Sequence, residues 1–331
     1  MTKFLQIALH PAWYHGHRKG PPFFEGWYYK LIDATEWHRY AVIPGIFKGT
    51  DPQSSHAFVQ VLDGTTGQAT YHRYPLEEFW AAEGNLDVRV GPNRFTLERI
   101  TLQIESPERS VSGDVRFVGL TPWPVTLVSP GIMGWYTWVP FMECYHGVLS
   151  LDHTLEGVLA VDGRPVDLTG GRGYVEKDWG RSFPAAWVWL QTNHFDQPGT
   201  SVTASIAVIP WLGSAFRGFI IGFWHAGRLY RFATYTGARV EKLALDEHNV
   251  HWVVRDRQYR LEMVAARTQA GLLRGPRAVD MGGRVPETLQ ATVAVRLSAL
   301  AGGAEYLRFE GSGRNAGLEV AGDLPRLLKM R

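Results

Sequence analysis

The sequence predicts an all-β protein built from two antiparallel barrel or sandwich halves packed together, with few helices. Three observations carry this. Runs rich in Val, Ile, Tyr, Phe and Trp recur at short spacing, separated by turns containing Gly, Pro, Asn and Asp. Where polarity can be followed it alternates with period 2: Val111, Val115 and Phe117 face one way, while Ser112, Asp114 and Arg116 face the other. Segments with a helical period are scarce, and 331 residues suffice for two domains. The expected division is an N-terminal arm (1–22), a first domain (23–165) and a second (166–331).

In the arm, His10, His15 and His17 have no carboxylate or cysteine beside them and read as part of a strapped-down segment rather than a metal site. The apolar run Phe4–Leu9 is short, contains Gln6 and lacks a cleavage-site pattern, so no signal peptide is expected and a cytoplasmic location is the default. Phe23–Ile32 and Trp37–Phe47 are strand candidates, the second bent at Pro44-Gly45; Ala57–Leu62 is a third, closed by Asp63-Gly64. Pro75–Ala82 is expected to form one short helix. A meander follows through Asn85–Val90, Arg94–Glu98, Leu102–Glu105 and Val111–Val118. Trp123–Asp152 breaks the pattern with Trp135, Trp138, Pro140, Phe141 and Met142.

Leu155–Val161 and Arg164–Leu168 form a hairpin around Asp162-Gly163. Ser201–Ile209 and Gly218–Trp224 are apolar strands. Pro210, Gly213 and Arg217 in this region argue against a membrane-spanning helix, although a Trp211/Phe216 tip would suit peripheral contact with a membrane. Leu229–Tyr235, His251–Val254, Tyr259–Val264, Thr292–Leu297 and Tyr306–Gly311 supply further strands, and Arg267–Pro286 reads as a long loop. Gly26-Trp27 and Trp179-Gly180, near the start of each half, hint at a duplication.

A net charge of +2 gives no reason to expect nucleic acid or an anionic membrane as a partner. The single Cys144 excludes an intrachain disulfide and any multi-cysteine zinc site. Gly171-x-Gly173 is followed by Glu176 where a dinucleotide fingerprint needs glycine, and P-loop, H-E-x-x-H and G-x-S-x-G motifs are absent. His146, His153 and His194 are scattered. No metal or other cofactor is expected. The compositional anomaly is aromatic: 13% of residues, 13 of them Trp, enough for a large aromatic core or an aromatic-lined cavity.

The stretch from Gly170 to Phe195 mixes charge and aromatics more densely than a plain core strand or a solvated loop would. If extended, it places Tyr174, Glu176 and Asp178 on one face and Val175, Lys177 and Trp179 on the other. Carboxyls beside aromatics are the ingredients of a tuned acid, since desolvation raises a carboxyl pKa and nearby cations lower it. The structural alternative is an ion-pair cluster joining Glu176 to Arg172 and Asp178 to Arg181.

Several blocks resemble the tocopherol cyclase family. They are Phe24-Glu25-Gly26-Trp27-Tyr28, Gly131-Ile132-Met133-Gly134, and Val139-Pro140-Phe141-Met142-Glu143-Cys144-Tyr145-His146-Gly147-Val148 with Asp152-His153. The resemblance continues from Gly171 to Pro184 and on to Gln191, Asn193 and His194. It implies a lipocalin-related fold and closure of a prenylated hydroquinone to a chromanol without a redox cofactor. Such a reaction protonates a trisubstituted alkene and captures the tertiary cation with the phenol oxygen. It needs a general acid, a dry aromatic cavity and a folded substrate tail. Asp178 and Glu176 are the first acid candidates, with Glu143 and His146 next. Trp27, Tyr28, Trp135, Trp138, Tyr145, Trp179, Trp187 and Trp189 are candidates to line the cavity. Arg181, Gln191, Asn193 and His194 are candidates to hold the hydroquinone oxygens, and Glu25 could be acid, base or structural partner. Competing readings are a hydratase of an isoprenoid alkene, a non-catalytic carrier of a hydrophobic isoprenoid, and a structural β protein. The central carboxylates favour the enzyme, because a carrier of greasy ligands gains little from them. Oligomeric state is not readable.

Overall fold

The structure is a computed structural model that describes residues 7–330; the start of the arm, including Phe4 and Gln6, lies outside them. Two compact units divide the chain. The first holds the residues up to Phe183 together with Gly271–Val285, and the second holds Pro184–Ala270 and Pro286–Arg331. Packing therefore does not divide the chain between 165 and 166. Residues 172–180, expected in the second domain, are a central strand of the first.

The first unit contains β1 (Phe23–Ile32), β2 (Arg39–Lys48), β3 (His56–Asp63), β4 (Gln68–Tyr74), β5 (Phe79–Ala81), β6 (Asp87–Val90), β7 (Asn93–Thr96), β8 (Arg99–Glu105), β9 (Ser110–Val118), β10 (Cys144–Val161), β11 (Arg164–Asp167) and β12 (Arg172–Gly180). Their order in the sheet is β4-β3-β2-β1-β12-β10-β9-β8-β7-β6-β5, with β11 hairpinned onto β10. β12 thus joins two meanders, pairing antiparallel with β1 on one side and β10 on the other. Gly26 and Trp179, read above as a hint of duplication, lie on these two neighbouring strands: Gly26 opposes Asp178 and Glu25 opposes Trp179.

One face of these strands converges on a single core that includes Trp27, Tyr29, Val42, Phe95, Val115, Phe117, Val175 and Trp179. Alternation along β1 and β12 sends Phe24, Tyr28, Tyr174, Glu176 and Asp178 to the opposite face. There Phe24 packs with Phe47, Phe58 and Met281.

Two expectations fail locally. Pro75–Ala82 is not a helix: a 3-10 turn (Leu76–Glu78) runs straight into β5, where Trp80 opposes Arg89 and accepts its guanidinium over the ring at 5.0 Å. A few residues of helical propensity cannot offset helix nucleation when a strand partner is available. Nor is Arg267–Pro286 a structureless loop. It carries β21 (Gly271–Gly275), held to β3 by the Gln60 side chain, whose amide donates to Arg274 O (2.9 Å) and accepts from Arg274 N (2.8 Å).

The second unit contains β13 (Ala186–Thr192), β14 (His194–Phe195), β15 (Ser201–Trp211), β16 (Ser214–His225), β17 (Arg228–Ala233), β18 (Arg239–Leu245), β19 (Asn249–Arg255), β20 (Tyr259–Ala266), most of β22 (Gly283–Ala301), and β23 (Ala304–Gly322). Their order is β17-β16-β15-β13-β23-β22-β20-β19-β18. Its core gathers Val188, Leu190, Phe223, Phe232, Trp252 and Met263, closed by the helix Leu324–Lys329 through buried Leu327. Trp211 and Phe216 are half-buried against each other, ring centroids 6.0 Å apart, so the large apolar side chain well exposed at that hairpin tip is Leu212. No described helix is long and apolar enough to cross a membrane.

Candidate active site

β12 has two chemically different faces, as its alternation requires. On the face away from the core, Asp178 opposes His146 and Glu176 opposes Val148 on β10. His146 Nδ1 lies 2.9 Å from Asp178 Oδ1, and His146 Nε2 lies 3.5 Å from Glu176 Oε2. The Tyr174 hydroxyl donates to the same Glu176 oxygen at 2.5 Å. Side-chain exposure grades outward, from 6% at Glu176 to 12% at His146 and 30% at Asp178. Burial alone would strip the proton from His146. The flanking charges of Glu176 and Asp178, with the Asp178 hydrogen bond, outweigh it and hold the imidazole pKa at about 9.

Glu143 stands at the end of this strand pair. Gly180 has a φ of +155°, and a Cβ there would lie 2.2 Å from Glu143 O, so glycine permits the close approach. Arg181 N–H then donates to Glu143 O at 2.8 Å, and Ser182 Oγ donates to Glu143 Oε1 at 2.9 Å. Burial raises the Glu143 pKa, against the Ser182 hydrogen bond and the charge of Arg181.

The ion pairs expected as the structural alternative do not form. Arg172 pairs with Asp152 instead, Nη2 to Oδ2 at 2.5 Å. Asp178 is bonded to His146 rather than to Arg181.

Four of the candidate binding residues, Glu25, Trp27, Tyr145 and Trp179, lie on the core face, apart from this cluster. The Lys177 and Glu25 side chains are 0% exposed and pair at 2.5 Å. Lys177 also donates to His15 Nδ1 (2.8 Å) and to the Trp13 carbonyl, with its ammonium over the rings of Trp27 (5.0 Å) and Trp179 (4.8 Å). His15 N–H donates to Glu25, and the His15 ring stacks on Trp179 at 4.2 Å. Burial lowers Lys177 to about 8 against the pull of Glu25, and burial with the Lys177 charge lowers His15 to about 4. Glu25 and Trp27 are therefore parts of a buried ion cluster that straps the arm to the core, and Trp179 is its roof. Tyr145 stacks on Trp179 at 5.4 Å.

Of the remaining candidates, Tyr28 opposes Glu176 across β1 and β12, on the His146 face. Trp135 and Trp138 occupy a 3-10 turn, Gly134–Trp138. In the second unit, Trp187, Trp189 and Gln191 alternate away from the core residues Val188 and Leu190. Trp187 Nε1 donates to Glu319 at 2.6 Å, and buried His194 Nδ1 lies 2.9 Å from Asn193 Oδ1. Sequence reading missed His15 and Lys177. Alternation had put Lys177 on the face of Val175 and Trp179, where the structure keeps it, but nothing local named Glu25 and His15 as its partners.

Among the described residues, His146, Glu176 and Asp178 are the group whose ligand atoms, within 4.8 Å of one another, could converge on a metal ion. A metal would need neutral imidazole, so it would displace the proton that the two carboxylates hold on His146.

The tocopherol cyclase-like family model matches residues 103–322, a span that includes β10, β12 and the whole His146 cluster. A chloroplastic tocopherol cyclase from Zea mays is 29% identical over 110 residues, 31% of this chain and 23% of that protein, so the aligned part is under a quarter of the relative's length. Among solved structures, CghA with Sch210972 superposes with a TM-score of 0.55 at 13% identity, covering 92% of this chain and 89% of that one. A Nitrosomonas europaea structure described as an AttH gives 0.51 at 14% identity, covering 89% and 92%. At these identities the structural agreement is one of fold. The chain belongs to the tocopherol cyclase-like family.

Proposed function

We propose that this chain is an enzyme that closes a prenylated hydroquinone to a chromanol by protonating a trisubstituted alkene and capturing the cation with the phenol oxygen. The observation that carries the reading is the His146–Asp178–Glu176 cluster, on the face of β12 away from the core, in a member of this family. Asp178, the most exposed of the three, is the donor. Its proton comes from His146 along the 2.9 Å hydrogen bond. The carboxylic acid adds that proton to the alkene, and the phenol returns one to the carboxylate as its oxygen closes the ring, so no proton is consumed. Glu176, fixed by Tyr174, holds the charge on His146. Tyr28 on the same face offers an aromatic surface to the cation, roughly 0.5–2 kcal/mol for one ring.

The test uses D₂O. Prenylated hydroquinones of differing tail and methyl pattern, incubated with the protein, should give a chromanol carrying one deuterium on the carbon next to the quaternary centre, on one stereochemical face. Label without facial preference would mean uncatalysed closure. Saturable binding with no chromanol from any quinol would make the protein a carrier, and a labelled tertiary alcohol would make it a hydratase whose cavity admits water.

A further inference from the structure

The segment joining β9 to β10 is the longest stretch of the first unit without a strand. It has no Asp, Glu, Lys, Arg or His between Arg116 and Glu143. Trp123, Ile132, Met133 and Met142 anchor it from within, all below 9% exposure. Outward it presents Leu127 (71% exposed), Val128 (81%), Trp135 (44%) and Val125 (39%). Leu127 and Val128 cap a tight turn in which Thr126 and Ser129 exchange both backbone hydrogen bonds, at 3.1 and 3.2 Å. Trp138 Nε1 donates to Leu127 O (3.1 Å) and Thr137 Oγ1 to Pro130 O (2.9 Å), which ties the 3-10 turn to this tip.

The consequence is that the carbonyls of Thr126, Leu127, Ser129, Pro130, Gly131, Met133 and Tyr136 each accept a bond from within the segment. Such closure lowers the cost of taking the tip out of water, because each polar group left unpaired in an apolar medium costs several kcal/mol. Val125 and Leu127 also line an open cleft of about 680 Å³ with Pro11, Trp13, Trp123 and Leu149, room for a hydrocarbon chain beside the tip.

We propose that this segment docks the protein on the surface of a zwitterionic phospholipid bilayer, with Leu127 and Val128 inserted and Trp135 at the interface. The absence of any cation in the segment sets the partner's chemistry: binding requires no anionic headgroup and is insensitive to salt. The proposal assumes nothing about the reaction, since vesicle binding and chromanol formation are read separately.

The full chain is sedimented with phosphatidylcholine vesicles, alone and with added phosphatidylglycerol, at low and high salt. Wild type and Leu212→Asp, a change at the exposed hairpin tip of the second unit, should partition equally. Leu127→Asp/Val128→Asp should partition about a hundredfold less or worse, the scale set by losing the burial of two aliphatic side chains. Leu127→Ser/Val128→Ser should fall between, and it decides the matter if the aspartate variant unfolds at a lower temperature. The proposal fails if wild type does not bind phosphatidylcholine, binds only when phosphatidylglycerol is present, or binds as well after the tip is changed. It also fails if Leu212→Asp alone abolishes binding, or if gel filtration shows that the tip substitutions merely split a dimer.

Discussion

His146 and Asp178 are Cα partners across β10 and β12, with Nδ1 and Oδ1 2.9 Å apart, so a proton held by two carboxylates sits beside the most exposed of them. Asp178→Asn keeps the size of the side chain and removes the acid. Turnover should fall at least ~100-fold, the usual scale for a general acid, with the unfolding temperature little changed. Glu176→Gln should lower turnover as well, by relaxing the charge on His146. Near wild-type rates in both folded variants would move the acid to Glu143, whose pKa burial raises.

Stability should depend on His146 in the alkaline direction. Its pKa rises from 6.5 to about 9 on folding, so its contribution is complete below pH 6.5 and lost as the pH climbs through 9. The integrated size is on the order of 3 kcal/mol. Thermal unfolding of wild type and His146→Asn, followed from about pH 6 to about pH 10, should show a gap that closes with rising pH. A gap that stays constant would mean that His146 is neutral in the fold.

On the core face, Lys177→Met leaves the Glu25 carboxylate buried without its countercharge. The expected cost is about 3–5 kcal/mol, read as a lower unfolding temperature. Lys177→Met/Glu25→Leu removes both charges and should recover most of the loss. Additive losses in the double variant would show that the pair is not coupled, contrary to the 2.5 Å contact between two fully buried side chains.

A proton-based site should keep its activity after exhaustive chelation and dialysis. Activity lost on chelation and restored by one added divalent ion would reassign His146, Glu176 and Asp178 as ligands.

Much of the site was legible because period-2 alternation is a local property. It put Tyr174, Glu176 and Asp178 on one face before any partner was known, and the structure keeps them there. The strands around Val111–Val118 and the hairpin at Asp162-Gly163 were readable for the same reason. What could not be read was what each face meets. Arg172 sits four residues from Glu176, yet its carboxylate is Asp152, on the neighbouring strand. His15 looked like one of three histidines in an arm, and only the folded chain brings it to Lys177, 162 residues away.

By itself, then, the sequence determined the all-β class, most strand positions and the two-faced character of β12. Tertiary structure decided that β12 joins the two meanders of the first unit and that its lysine face points into the core. It also decided that residues 271–285, Gly- and Arg-rich and apparently unstructured, pack with the first unit through Gln60. The physical reason is that side-chain direction is written into neighbouring residues by the pleat. The partner of a strand is chosen instead by burial and hydrogen bonding summed over residues far apart in the chain.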